Sequence, residues 1–291
     1  MELIVGKTAG FCYGVKRAVE GVEKELEKEK KLYCLGELVH NNQVIDNLEK
    51  KGLNFIENIN EAKGKTIIRA HGVPVNVYED AEKKQIKLIE YTCPNVLKIH
   101  EIAKQYEKEG YYICLCGSKA HPENIGTISY CGKNYSVINV ENDIEDALGK
   151  INKLEFKKVL LISQTTYSLE KFAKIEKILR QKLSKKINLI VKNTICKATE
   201  FRQKETTEIA KNVEYMIIIG GKNSSNTKKL FEIAKQNCKK AICIETVDDL
   251  NLEEVYNYSK IGIMAGASTP KESINEVIEN IENKNKKTSK V

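Results

Sequence analysis

Short apolar runs recur along the chain, and each ends in glycine or small polar residues before a helical pattern begins. Glu2-Leu-Ile-Val5 leads into TAGFCYGVKRA, and Val15, Ala18, Val19 and Val22 fall at three- to four-residue spacing. That pattern predicts a strand, a turn carrying Cys12, and a helix. The layout returns in TCPNVLKIHEIAKQYEKEG around Cys93 and in TICKATEFRQKETTEIAKNV around Cys196. Each cysteine is expected between a strand end and a helix start, where backbone N–H groups and the helix dipole favour a thiolate.

Distances from the three cysteines expose a repeat. Twenty-eight residues after Cys12, Cys93 and Cys196 stand His40, His121 and Ser224, and two further on stand Asn42, Glu123 and Asn226. Each of these loops follows an apolar strand and precedes a helical pattern. A second polar loop per unit follows another apolar strand, in TIIRAHGVP at His71, VLLISQTTYS at Thr165 and IGIMAGASTP at Ser268; the offsets are 59, 72 and 72. All four prolines, Pro74, Pro94, Pro122 and Pro270, lie in these loops, so none breaks a helix interior.

The repeat predicts an α/β protein of three similar lobes with mostly parallel sheets, arranged with pseudo-threefold symmetry around one central cavity. Lobe one is expected over 13–93, lobe two over 94–193 and lobe three over 194–281, the last completed by the strand in 1–12. Residues 282–291 are expected as a disordered polar tail. In such sheets ligands gather outside the carboxyl ends of the strands.

Composition narrows the function. No apolar run approaches membrane-spanning length and no secretory leader is evident, so the chain reads as cytoplasmic. Nine cysteines without a small, loop-rich setting point to reduced thiols or metal ligands rather than disulfides. Lys+Arg 48 against Asp+Glu 40 gives +8, of which the last ten residues supply +3. The remaining lysines interleave with glutamates as on solvated helix faces, and no aromatic platform accompanies them, which argues against nucleic acid.

Three thiolates, one per lobe, suit an iron–sulfur cube better than a structural zinc, because the usual paired-cysteine zinc spacing is absent. Three protein ligands would leave one iron open to a substrate oxygen. Cys34, Cys114, Cys116, Cys131, Cys238 and Cys243 lie in or beside apolar strands and read as core. The CLC at Cys114 to Cys116 resembles a metal pair, but its strand setting is expected to split its residues between the two sheet faces. His40, Asn42, His71, His121, Thr165, Ser224, Asn226 and Ser268 are neutral donors at helix starts, suited to a phosphate or diphosphate. His100, between Ile99 and Ile102 on a helix, reads as structural. GGKNSSNTKK lacks the spacing of a nucleotide phosphate loop. Glu123 is the acid among the polar loop positions; beside a buried diphosphate its pKa should rise, leaving it able to donate a proton. For any single loop the alternative is an ordinary helix cap.

GFCYGVKRA, GELVHN, RAHGV, TCP, HPE, SQTT, TICKAT, NSSNT and AGASTP, in this order from about residue 4 to 280, resemble the 4-hydroxy-3-methylbut-2-enyl diphosphate reductase (LytB-type) family. The resemblance implies an oxidoreductase with one [4Fe–4S] cluster held by Cys12, Cys93 and Cys196, whose open iron binds the substrate hydroxyl. It implies that His40, His71, His121, Ser224, Ser225, Asn226 and Ser268 hold the diphosphate, that Thr165 meets the hydroxyl, and that Glu123 relays protons. The implied products are isopentenyl and dimethylallyl diphosphate, the last step of the methylerythritol phosphate route to isoprenoids, with electrons from ferredoxin or flavodoxin. From the residues alone two other readings stay open: a dehydratase or condensing enzyme of the quinolinate synthase sort, which needs no reductant, and a cluster- or zinc-based sensor that turns over nothing.

Overall fold

The computed structural model describes residues 1–29 and 31–288, with the side chains of 284–288 left out. Its strands are β1 (Glu2–Val5), β2 (Leu32–Leu35), β3 (Leu53–Ile56), β4 (Thr66–Ile68), β5 (Leu88–Glu90), β6 (Tyr112–Cys116), β7 (Tyr135–Ile138), β8 (Lys158–Ser163), β9 (Asn188–Val191), β10 (Tyr215–Ile219), β11 (Lys240–Ile244) and β12 (Lys260–Ala265). They form three four-stranded, wholly parallel sheets, ordered β5-β4-β2-β3, β9-β8-β6-β7 and β1-β12-β10-β11. The order is the same in all three, so the repeat seen in the sequence is a repeat of topology. The expected three α/β lobes are present, and β1 pairs with β12 in the third sheet.

Helices between the strands are α1 (Tyr13–Leu26), α2 (Asn42–Lys50), α3 (Val75–Lys83), α4 (Pro94–Lys108), α5 (Pro122–Ile128), α6 (Asn142–Lys153), α7 (Leu169–Lys182), α8 (Lys197–Ala210), α9 (Ser225–Asn237), α10 (Leu252–Val255) and α11 (Lys271–Thr288). Pro94 and Pro122 open α4 and α5, where a missing N–H costs nothing. Helix α11 runs to Thr288, past the boundary expected for the polar tail; 289–291 lie outside the described residues.

Central strands are apolar without interruption because helices cover both faces. In β6, Tyr112, Cys114 and Cys116 enter one core and Ile113 and Leu115 the other. Cys114 and Cys116 therefore share a face, contrary to expectation, as residues two apart on a strand must. Both are fully buried among apolar side chains, and burial pushes the Cys114 thiol up to about 12. They are core.

By compactness the chain divides into two units. One comprises Met1–Lys16, Val39–Asn47 and Lys197 onward, and contains the third sheet; the other comprises Arg17–Leu38 and Leu48–Cys196, and contains the first two.

Candidate functional site

Backbone hydrogen bonds place the three cysteines identically. The N–H of Cys12 donates to Ala267 O, that of Cys93 to Ala70 O and that of Cys196 to Thr165 O, each at 3.0 Å. Each cysteine follows the edge strand beside β12, β4 or β8 and immediately precedes a helix: α1, α4 or α8. All three thiols are half-buried, whereas Cys34, Cys114, Cys116 and Cys131 are buried.

These bonds also correct the alignment of the second loops. Ala70, Thr165 and Ala267 are equivalent, so the true counterpart of His71 and Ser268 is Thr166, not Thr165. Strand register agrees, since Ile68, Ser163 and Ala265 pair with Leu35, Cys116 and Ile219. The first loops match as expected. Gly36, Gly117 and Gly220 each donate to the neighbouring edge strand, at Ile56 O, Ile138 O and Ile244 O, and each has positive φ (69°, 152° and 155°). A side chain there would be strained, and at Gly117 its Cβ would lie 2.3 Å from Asn124 Nδ2.

In the larger unit, His121 caps α5 by accepting the Glu123 N–H at Nδ1 (3.2 Å). An acceptor Nδ1 fixes the neutral tautomer with Nε2 as donor, which is what an anion needs. His71 meets the His121 ring edge-on, centroids 5.6 Å apart. Glu123 is 2% exposed. Its Oε1 accepts the Thr165 N–H and its Oε2 the Thr165 hydroxyl, both at 2.6 Å. Burial raises its pKa from 4.5 to about 7, against the pull of those two bonds. A carboxyl that is half protonated near neutrality, facing a hydroxyl that can donate or accept, is equipped to pass a proton.

In the other unit, Ser224 caps α9 by accepting the Thr227 N–H (3.3 Å), and Ser225 and Asn226 form its first turn. Asn226 is 2% exposed, yet neither its amide oxygen nor its nitrogen has a hydrogen-bond partner. A buried amide left so costs about 1–3 kcal/mol, which a polar ligand would recover. Ser268 donates its hydroxyl to His40 O at 3.0 Å, joining the two loops. Asn42 departs from its counterparts: it is exposed and donates to Glu245 Oε1 at 3.0 Å, while the buried neighbour Asn41 caps α2 through the Val44 N–H.

Among the described residues no three His, Cys, Asp or Glu side chains are gathered as a metal-binding group. Cys12 belongs to one unit, Cys93 and Cys196 to the other. The local chemistry suits an iron–sulfur centre: Asn95, in the first turn after Cys93, points Nδ2 at Cys196 Sγ (3.2 Å), and such N–H···S bonds stabilise cluster thiolates.

The model of the family described as LytB protein matches residues 3–282, almost the whole chain. The chain belongs to the LytB family. A LytB relative from Alkaliphilus oremlandii, named 4-hydroxy-3-methylbut-2-enyl diphosphate reductase, is 41% identical over 97% of this chain and 100% of its own. The reductase of that name from Clostridioides difficile is 40% identical over the same shares. Among solved structures, that of (E)-4-hydroxy-3-methyl-but-2-enyl diphosphate reductase, described as the terminal enzyme of the non-mevalonate pathway, has a TM-score of 0.70 at 38% identity, covering 97% of this chain and 100% of that one. The Plasmodium falciparum E-1-hydroxy-2-methyl-but-2-enyl-4-diphosphate reductase has a TM-score of 0.88 at 33% identity, covering 96% and 87%.

Sequence reasoning about this LytB chain missed several polar residues beside the site. Asn124 donates to Gln164 Oε1 (3.1 Å) and Ser118 O (2.8 Å), and Gln164 Nε2 donates to the Thr166 hydroxyl (2.7 Å). These bonds brace the loops that carry Glu123 and Thr165. Their signal was adjacency to HPE and SQTT. Asn95 likewise stood two residues after Cys93.

Proposed function

We propose that the protein reduces 4-hydroxy-3-methylbut-2-enyl diphosphate to isopentenyl and dimethylallyl diphosphate, using two electrons and two protons and releasing the hydroxyl as water. The observation that carries the reading is the buried Glu123–Thr165 pair, a proton-handling pair set in a chain about 40% identical, end to end, to reductases of that name. Cys12, Cys93 and Cys196 are assigned as the ligands of one [4Fe–4S] cluster. When bound, that cluster would supply single electrons and an iron open to a substrate oxygen.

The remaining chemistry belongs to the side chains. His121 offers Nε2–H, and His40, His71, Ser224, Ser225 and Ser268 add donors for the diphosphate. Asn226 gains from it the partners its amide lacks. The starts of α5 and α9 contribute about half a positive charge each, so the anion needs no lysine cluster. Thr165 hydrogen-bonds the substrate hydroxyl and relays to it the proton of Glu123, so that it leaves as water rather than hydroxide. The second proton goes to carbon at either end of the allylic system, which accounts for two products. Ferredoxin or flavodoxin in the cytoplasm is the proposed electron source; among the described residues no helix is long and apolar enough to cross a membrane.

The test is anaerobic protein with a low-potential reductant and the hydroxymethylbutenyl diphosphate, followed by product analysis. Both isomers should form, with strict dependence on the reductant. Turnover without reductant, or none with it, would sink the assignment. Glu123→Gln should bind substrate and lower kcat by about 10² to 10⁴.

A further inference from the structure

Helix α8 carries two charged side chains that hydrogen-bond backbone and hydroxyl groups of the turn leading to Cys12. Arg202 is 4% exposed; its Nη2 donates to Gly10 O and its Nη1 to Ala198 O (3.3 Å). One helical turn on, Glu205 accepts the N–H groups of Lys7 (2.7 Å) and Thr8 (2.9 Å) and the Thr8 hydroxyl. The turn is thus gripped at both ends from one side. From the other side it is tied to β12 through Gly6 N–H to Ile263 O (2.9 Å) and Cys12 N–H to Ala267 O (3.0 Å).

The fold itself does not require this arrangement. Arg202 and Glu205 stand six and nine residues after Cys196; the same places after Cys93 hold Ile99 and Ile102, and after Cys12 they hold Ala18 and Gly21. Two lobes pack this helix face with apolar or small residues, and the third spends a buried guanidinium, which is costly to desolvate, on a carbonyl two residues before a cysteine. We propose that Arg202 and Glu205 are a clamp that positions Cys12 as a cluster ligand. The inference rests on the three-cysteine cluster proposed above. A carboxylate held by two N–H groups and a hydroxyl, with a guanidinium on the Gly10 carbonyl, fixes the turn's backbone before any metal arrives, so the Cys12 thiolate would meet the iron without first being ordered.

The test compares anaerobically loaded wild type with Glu205→Gln and Arg202→Gln, and with Glu208→Gln, an exposed change on the same helix, as control. Iron release to a ferrous chelator should be at least about tenfold faster in both clamp variants, since charge-assisted bonds of this kind are each worth a factor of that order. The electron paramagnetic resonance spectrum of the reduced cluster should also shift. The cluster-free protein should lose some stability, because the bonds exist before the metal does, but release should quicken by more than that loss accounts for, and the control should match wild type. Wild-type release and spectra in both variants overturn the clamp, as does faster release that merely tracks an equal loss of cluster-free stability. If wild type itself loads no cubane, the cluster assignment fails first and the clamp with it.

Discussion

Two buried groups in the larger unit titrate in opposite senses, and stability measured against pH should separate them. Burial pushes the Glu123 carboxyl from 4.5 to about 7. Between those values the folded chain keeps a proton that the unfolded chain has released, so stability is full below 4.5 and falls as pH rises to about 7. At ~1.4 kcal/mol per tenfold in proton affinity the loss is about 3 kcal/mol. His100 is 4% exposed and stacks on Tyr130 with ring centroids 4.6 Å apart. Burial pushes its pKa from 6.5 to about 4. Here the unfolded chain takes up the proton first, so the contribution is full above 6.5 and is lost toward 4, again about 3 kcal/mol.

Between 4.5 and 6.5 the two slopes cancel, and the wild-type profile should show little of either. Glu123→Gln removes one, so its stability should climb by about 3 kcal/mol from about pH 4 to 6.5. His100→Leu removes the other, so its stability should fall by a similar amount from about pH 4.5 to 7. Urea unfolding of cluster-free protein followed by far-ultraviolet circular dichroism reads both, the chain having no tryptophan. Glu29 and Glu200, lowered by lysine partners, and Glu214, lowered by hydrogen bonds from Ser259 and the Lys260 N–H, lie at the surface and contribute little to the slope. Profiles of both variants parallel to wild type would refute the reasoning.

Asn226→Leu keeps the side-chain shape and removes two unpartnered buried groups, so cluster-free protein should be at least as stable while KM rises about tenfold or more, read by steady-state kinetics beside a melt. Cys93→Ser should leave anaerobically purified protein without cubane absorbance and short of iron; a full complement of iron would remove the ligand assignment. A Cβ at Gly221 would lie 2.6 Å from His40 O, so Gly221→Ala should displace that loop, costing about 1–3 kcal/mol and raising KM. By contrast Gly149→Ala, on an exposed stretch of α6 with nothing within 4 Å, should stabilise by about 0.5–1 kcal/mol in the same denaturation assay.

Strands and helices were legible because each is buried on a period the letters show, and the cysteines were legible because a strand end followed by a helix start leaves a fixed signature. Errors arose where counting replaced geometry. Thr165 shares its distance from Cys93 with that of Ser268 from Cys196, but the segments between differ by a residue, and the Cys N–H bonds and the strand register reveal that Thr165 aligns with Ala70 and Ala267. Cys114 and Cys116 were split between faces although residues two apart cannot be. The Arg202–Glu205 arrangement was hidden because the groups it holds before Cys12, mostly backbone atoms, lie nearly two hundred residues away, and no side-chain pattern encodes them.

The corrected register changes what the threefold repeat means. At one set of equivalent positions stand Asn42, Glu123 and Asn226, and at a second set Ala70, Thr165 and Ala267. Only the second lobe has an acid in the first set and a hydroxyl in the second, and there the two close on each other through paired 2.6 Å bonds. In the third lobe an alanine stands where Thr165 would be, and Asn226 opposite it has no partner at all. In the first lobe the polar residue has turned outward to Glu245. One scaffold thus yields three different outcomes from two positions: a carboxyl closed on a hydroxyl, a buried amide with no hydrogen-bond partner, and a surface contact. The proton role proposed for Glu123 and Thr165 rests on the first of these outcomes and the anion role proposed for Asn226 on the second, so the two roles follow from departures from the repeat rather than from the repeat itself.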